Sequence, residues 1–182
     1  QIKQIEKLVN EFSDFARMPK PVFKKNDLTI LIKENIKLLK ELDQTIKIDF
    51  IHDKEELFLD GDKEQLSRVF LNLVKNSIES IQQKAENTTK FIKNITIEIN
   101  DNGDHISITI LDNGVGFDIL KENIKDILNP YFTTKKNGTG LGLSIVNKII
   151  NDHNGELHFY SISRGVKVEI NFKLDDNRNS NS

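Results

Sequence analysis

The sequence of 182 residues predicts an α+β domain in which one sheet is covered on one face by helices. Three observations carry this reading. Segments with helix-period apolar spacing are interleaved with segments of period-two spacing. A strong hairpin signal, Asp101-Asn102-Gly103-Asp104, joins two of the latter. Hydrophobic residues at 37% and charged residues at 30% describe a globular composition able to bury a core.

The elements follow in chain order. "QIKQIEKLVNEFSDFARMPKP" places Ile2, Ile5, Leu8, Val9, Phe12, Phe15 and Ala16 on one helical stripe, stopped by Pro19 and Pro21. It reads either as an edge helix of the domain or as the tail of a coiled-coil or bundle helix. Gln1 already lies inside the pattern, which predicts a piece of a longer protein. "DLTILIKENIKLLKEL" is a second helix with Asp27 as N-cap. "TIKIDFIH" and "ELFLDG" alternate as strands. Asp62 caps the longest helix, "DKEQLSRVFLNLVKNSIESIQQKA", whose buried side is Leu66, Val69, Phe70, Leu73, Ile78 and Ile81. The hairpin strands are "ITIEIN" and "HISITILD". Residues 113–138 carry few regular signals beyond a short helical stretch near Leu120 to Leu128, and a loop of that length is functional or mobile. "LGLSIVNKIINDHN" is the last helix, ended by Gly155, and "ELHFYSI" and "VKVEINFKL" are the last strands. Residues 175–182 read as a disordered tail.

Composition excludes several function classes. A net charge of −2 argues against a general nucleic-acid binder. The absence of cysteine removes disulfides and thiolate–metal sites and is compatible with a reducing cytosol. No apolar run approaches a membrane span, and no signal-peptide pattern opens the chain.

Three stretches carry candidate chemistry. Asn72 and Asn76 stand four apart on one face of the long helix, where Asn is a poor helix former. They could satisfy core backbone groups, meet solvent, or offer a carbonyl oxygen to Mg²⁺. In "LDNGVGF", Asp112 ends an apolar strand, where a carboxylate is costly unless something donates to it. An adenine amine is such a donor, and guanine presents a carbonyl instead. Gly114 and Gly116 would let a flat base lie against the backbone. Taken alone, the stretch is also an ordinary Asp-Asn-Gly turn. In "NPYFTTKKNGTGLGLSIVNKI", Gly138, Gly140 and Gly142 run directly into a helix N-terminus, an arrangement of backbone N–H groups suited to phosphate. Thr133, Thr134, Lys135 and Lys136 add donors and charge. The spacing is neither the dinucleotide fingerprint nor a Walker loop, and the protein-kinase signatures are missing.

In this order, "NLVKNSIES", "DNGVGF", "PYFTTK" and "GTGLGL" resemble the N, G1, F and G2 boxes of the GHKL (Bergerat) ATP-binding fold. More narrowly, residues 20–174 look like the catalytic, ATP-binding domain of bacterial sensor histidine kinases. The segment "EFSDFARMPKP" is similar to the linker of nitrogen-regulation kinases of the NtrY/NtrB type. The resemblance implies a two-layer α/β sandwich, with a mixed sheet of about five strands and three helices on one face. It divides the chain into the end of a second dimerisation helix (1–18), a linker (19–26), the catalytic domain (27–174) with an ATP lid over 117–138, and the tail. It assigns the Mg²⁺ ligand to Asn76, a supporting and catalytic role to Asn72, and adenine reading to Asp112. Gly114 and Gly116 shape the base pocket; Phe117, Tyr131 and Phe132 anchor the lid; Thr133 and Thr134 adjoin the phosphates. Lys135 positions the terminal phosphates, and Gly138, Thr139, Gly140, Leu141, Gly142 and Leu143 lie under them. Two departures stand out: His153-Asn154-Gly155 replaces His-Gly-Gly, and Gly165-Val166 replaces Gly-Thr, removing a hydroxyl.

The superfamily's ATPases, such as the gyrase B subunit and MutL, resemble one another in placing a Glu base four residues before the metal-binding Asn. Here Asn72 stands there, and an amide cannot accept a proton at neutral pH. This fits histidine kinases, whose acceptor imidazole is the nucleophile. None of the four histidines, His52, His105, His153 and His158, has the pattern of an acceptor. The expected function is therefore an ATP-binding catalytic domain that takes Mg–ATP and does not autophosphorylate by itself. In the whole protein it would donate the γ-phosphoryl group to a His on the dimerisation helices, for relay to an Asp of an NtrX/NtrC-like response regulator. That protein is expected to be a homodimer with this domain in the cytoplasm, anchored at the bacterial inner membrane, and without direct nucleic-acid contact. The alternative is a GHKL module acting as an ATPase or as a non-catalytic interaction domain.

Overall fold

The computed structural model describes residues 6, 9, 12, 13, 16–116, 126–135 and 138–174. Chain order runs β1 (Lys24–Asp27), α1 (Leu28–Leu39), β2 (Lys47–His52), β3 (Phe58–Gly61), α2 (Lys63–Glu86), β4 (Asn94–Asp101) and β5 (His105–Asp112). A 3-10 turn (Asp126–Leu128), α3 (Gly142–Asp152), β6 (Gly155–Ile162) and β7 (Gly165–Lys173) complete it. Phe117, the expected helical stretch up to residue 125, and the tail lie outside the described residues.

The caps anticipated from the sequence form. The Asp27 carboxylate accepts from the Thr29 N–H at 2.8 Å, and that of Asp62 from Glu64 and Gln65 at 3.0 and 3.1 Å. Both satisfy donors that a helix start leaves without intrahelical partners. Helix α1 closes at Leu39, earlier than its apolar spacing suggests. The N–H groups of Glu41 and Leu42 turn back to the carbonyls of Leu38 and Leu39 instead of continuing the helix.

Five strands form one mixed sheet in the order β2-β4-β5-β7-β6, with β2 and β4 parallel and the other pairs antiparallel. Alternation sorts the two faces: Ile95, Ile97 and Ile99 of β4 and Ile106, Ile108 and Ile110 of β5 point to the core, each at most 1% exposed. Val168, Ile170 and Phe172 of β7 extend the same layer. Three helices cover this face. Leu31 and Ile32 of α1, Leu66, Phe70 and Ile81 of α2, and Ile145 and Ile149 of α3 supply the opposing apolar stripes.

A second, two-stranded ribbon pairs β1 with β3, antiparallel. No alternation marks "KKND" as a strand, and the sequence reading runs from the linker directly into the helix. The ribbon is fastened from outside. Asn26 Nδ2 donates to the Gly61 carbonyl at 2.7 Å, the Val22 N–H to Asp62 Oδ2 at 2.9 Å, and Gln65 Nε2 to the Pro19 carbonyl at 2.9 Å.

His153, only 6% exposed, fastens the end of α3 to the start of α2. Its Nε2 accepts from the Asp62 N–H at 2.9 Å, which leaves Nδ1 to donate to the Ile149 carbonyl at 2.8 Å. The Phe23 ring lies 5.0 Å from it. Asn154 takes φ +54, so asparagine meets the left-handed geometry at this helix end. Before β1, Glu6, Val9, Phe12, Ser13 and Ala16 are helical, and the Arg17 N–H reaches the Ser13 carbonyl at 3.0 Å.

Candidate functional site

The site is built where α2, the end of β5 and the approach to α3 converge. Asp112 closes β5 and is 5% exposed. Its Oδ1 accepts the Gly114 N–H at 2.9 Å and its Oδ2 the Ser77 hydroxyl at 3.0 Å. Burial pushes its carboxyl above the ordinary aspartate value. The N–H groups of Gly114 and Val166, the Ser77 hydroxyl and the charge of Lys84 oppose that rise. A carboxylate offers about four acceptor positions, and the three donors named leave room for one more, which suits a base amine.

Lys84 fastens the turn that follows. Its Nζ donates to the carbonyls of Asn113 and Gly114 at 2.6 and 2.8 Å while lying over the Phe91 ring at 5.0 Å. The Val115 N–H donates to the Ser80 hydroxyl at 3.1 Å. Gly116 follows at φ +78 beside the Gly165 carbonyl. Ser77, Ser80 and Lys84 occur in the sequence as ordinary polar residues of an amphipathic helix. Their spacing of three and four, on the face that meets β5, is the only signal they carry.

One turn away on α2 stand the two asparagines. Asn76 Oδ1 accepts from Lys135 Nζ at 3.0 Å, and the same ammonium is paired with the Glu79 carboxylate. Asn72 is oriented differently. Its Nδ2 donates to the Arg68 carbonyl at 2.9 Å, and its Oδ1 faces Gly142, the first residue of α3. The two amides therefore face different neighbours: Asn76 meets Lys135, Asn72 the glycine segment.

That segment is shaped by close backbone contact. Gly140 adopts φ +71, and a Cβ there would stand 2.4 Å from the Tyr131 carbonyl carbon; the Tyr131 N–H donates to the Gly140 carbonyl at 3.0 Å. Leu141, fully buried, pins the start of α3, whose first turn has no side-chain cap. The N–H groups of that first turn, left without a side-chain cap, suit an anion. The Leu141 N–H reaches Thr139 Oγ1 at 3.5 Å, Leu143 packs partly buried on the core, and Gly138 donates to the Lys135 carbonyl at 3.1 Å. Thr133 Oγ1 accepts from the Lys135 N–H at 3.1 Å, and Thr134 is exposed. Phe132 packs on the core as an anchor would. Tyr131 does not: at φ +68 it is 55% exposed and its ring stacks on Phe12, 6.5 Å away.

None of the four histidines is presented from a helix face. His52, His105 and His158 lie at or in strands beside Lys54, Asp104 and Glu156, and His153 is the buried fastening described above. No described helix is long and apolar enough to cross a membrane.

Comparison with known proteins gives a consistent result. Residues 61–176 match the family model described as histidine kinase-, DNA gyrase B-, and HSP90-like ATPase. Nitrogen regulation protein NtrY of Azorhizobium caulinodans is 32% identical over 177 residues, covering 96% of this chain and 22% of NtrY. The chain spans about a quarter of the length of the curated relatives it matches. The solved catalytic domain of histidine kinase ThkA is 31% identical, with a TM-score of 0.72 over 84% of this chain and 95% of that one. A ThkA structure in complex with the response regulator TrrA aligns at a TM-score of 0.75 and 27% identity, covering 94% of this chain and 48% of that one.

Proposed function

The chain belongs to the histidine kinase-, DNA gyrase B- and HSP90-like ATPase family, and from that premise we propose that it is the catalytic domain of a two-component sensor kinase that binds ATP with Mg²⁺. The observation that carries this is the sharing of one helix by both ends of the site. Ser77, Ser80 and Lys84 of α2 hold Asp112 and its turn, while Asn76 meets the lid lysine and Asn72 the glycine segment one turn before.

The residues present fit a hard cation. Asn76 Oδ1 and the Glu79 carboxylate converge on a positive charge, here the Lys135 ammonium, and oxygen donors are what Mg²⁺ takes. Bound there, Mg²⁺ would neutralise phosphate charge. The chain's own part is positioning. Asp112 orients the base, the N-terminus of α3 and the glycines receive the phosphates, and Lys135 supplies charge from the lid. The γ-phosphoryl acceptor is a His on dimerisation helices. An aspartate on a response regulator, NtrX/NtrC-like, receives the group next. The complex of ThkA with TrrA and the likeness to NtrY support that relay. The whole protein acts as a homodimer with this domain on the cytoplasmic side of the inner membrane.

Hydrolysis is not expected. Asn72 replaces the carboxylate base and its amide is occupied with the Arg68 carbonyl. Incubated with Mg–ATP, the chain should show neither steady phosphate release nor label on any of its histidines. Steady release that disappears in Asn76→Ala would instead establish an ATPase.

A further inference from the structure

Glu79 lies three residues after Asn76, on the same face of α2, and the family resemblance assigns it no role of its own. Its carboxylate is 38% exposed, so nothing in the packing requires an acid there. Yet Lys135 reaches it from the other side of the site, together with Asn76 Oδ1. The reach is prepared by the lid backbone. The Lys135 N–H is held by Thr133 Oγ1 and its carbonyl by the Gly138 N–H, a tight turn that directs the side chain across the cleft. A pair this exposed stabilises little, so it does not serve as a strong fastening. It does leave one amide oxygen and one carboxylate arranged around a positive charge.

Among the described residues no group of three or more His, Cys, Asp or Glu could hold a metal by itself. A divalent cation at this place therefore needs phosphate oxygens to complete its shell, as Mg²⁺ commonly does with only one or two carboxylates. We propose that Glu79 is, with Asn76, a protein ligand of that cation, directly or through a bound water, and that Lys135 competes with the cation for the same two oxygens. Arrival of the cation with the nucleotide replaces one positive charge by another at Glu79. The lysine is then free for the phosphates. This rests on the nucleotide reading above.

The test compares calorimetric ATP affinity with and without Mg²⁺ in the unaltered chain, in Glu79→Gln and in Lys135→Ala, each checked for unchanged circular dichroism. The quantity read is the gain in affinity that Mg²⁺ confers. In Glu79→Gln that gain should fall by about tenfold or more, the scale on which metal-site partners act. Affinity for metal-free ATP should hold or rise there, because a negative charge beside the phosphates has gone. In Lys135→Ala the gain should persist or grow, since no ammonium competes for the oxygens. A full gain in Glu79→Gln overturns the inference and leaves the nucleotide reading standing. An unaltered chain that binds no ATP under either condition overturns both.

Discussion

Asp112→Asn is expected to weaken ATP binding by about 1–3 kcal/mol, the cost of losing a charged hydrogen bond at a buried site. In affinity that is roughly a factor of five to 150. The substituted amide keeps one acceptor oxygen but turns an NH₂ toward donors that now feed a carboxylate, the Gly114 N–H and the Ser77 hydroxyl. Stability should move the other way. Because burial raises the folded-state pKa of Asp112 above its ordinary value of 3.8, the stability linked to this group is fully present below that value. It is lost as pH rises through the folded-state pKa. At neutral pH the ionised carboxylate is thus a cost to the nucleotide-free fold, and Asp112→Asn should melt at the same temperature or higher while binding ATP less well. The same linkage makes ATP affinity fall as pH drops from neutrality through the raised pKa, since the protonated carboxyl no longer accepts from the base. Unchanged affinity in Asp112→Asn would reject the base-reading role.

The largest structural effect is expected from Gly165→Ala. Gly165 has φ +123, and a Cβ there would stand 2.0 Å from the Asp112 carbonyl oxygen and 2.8 Å from its Oδ1. The obstacle is the backbone of a central strand, which cannot swing aside as a side chain can. Overpacking of this kind costs about 1–3 kcal/mol, and the backbone conformation adds roughly 1–2 kcal/mol. For a domain of this length each kcal/mol lowers the melting temperature by about 2–4 °C. Any relief must shift the start of β7, and with it the Val166 N–H that helps hold the Asp112 charge. Nucleotide affinity should fall along with stability. Gly103→Ala is the matched control: φ is +90, but nothing lies within 4 Å of the added atom, so only the conformational cost remains. Equal melting temperatures for the two variants would contradict the close-contact account.

The strands and caps were legible because each rests on a local rule. Ile95 to Ile99 and Ile106 to Ile110 alternate, Asp27 and Asp62 precede apolar helices, and Asp101 to Asp104 marks a hairpin. The four motifs stood out because their glycines, amides and strand-end carboxylate stand at intervals that helix and strand packing alone does not require. The β1–β3 ribbon was not, since "KKND" owes its extended form to partners more than 30 residues away, Asn26 to Gly61 among them. Lys84 on the Asn113–Gly114 turn, Ser77 on Asp112 and Lys135 on Glu79 are contacts between elements, and spacing along one helix says nothing about what meets it. His153 reads as a helix-end polar residue until the Asp62 N–H is found on its Nε2. Tyr131 is apolar enough to suggest a lid anchor, but the backbone contact with Gly140 and the left-handed φ turn its ring outward to Phe12.

Helix α2, the end of β5 and the glycine segment are together proposed as a site for Mg–ATP that reads adenine. Calorimetric titration of the chain with ATP, with and without Mg²⁺, and with GTP as the control tests it most directly. The expected result is metal-aided binding of ATP, with GTP excluded because guanine sets a carbonyl against the Asp112 carboxylate. Equal binding of the two nucleotides, or no binding of ATP with Mg²⁺ present, would contradict it.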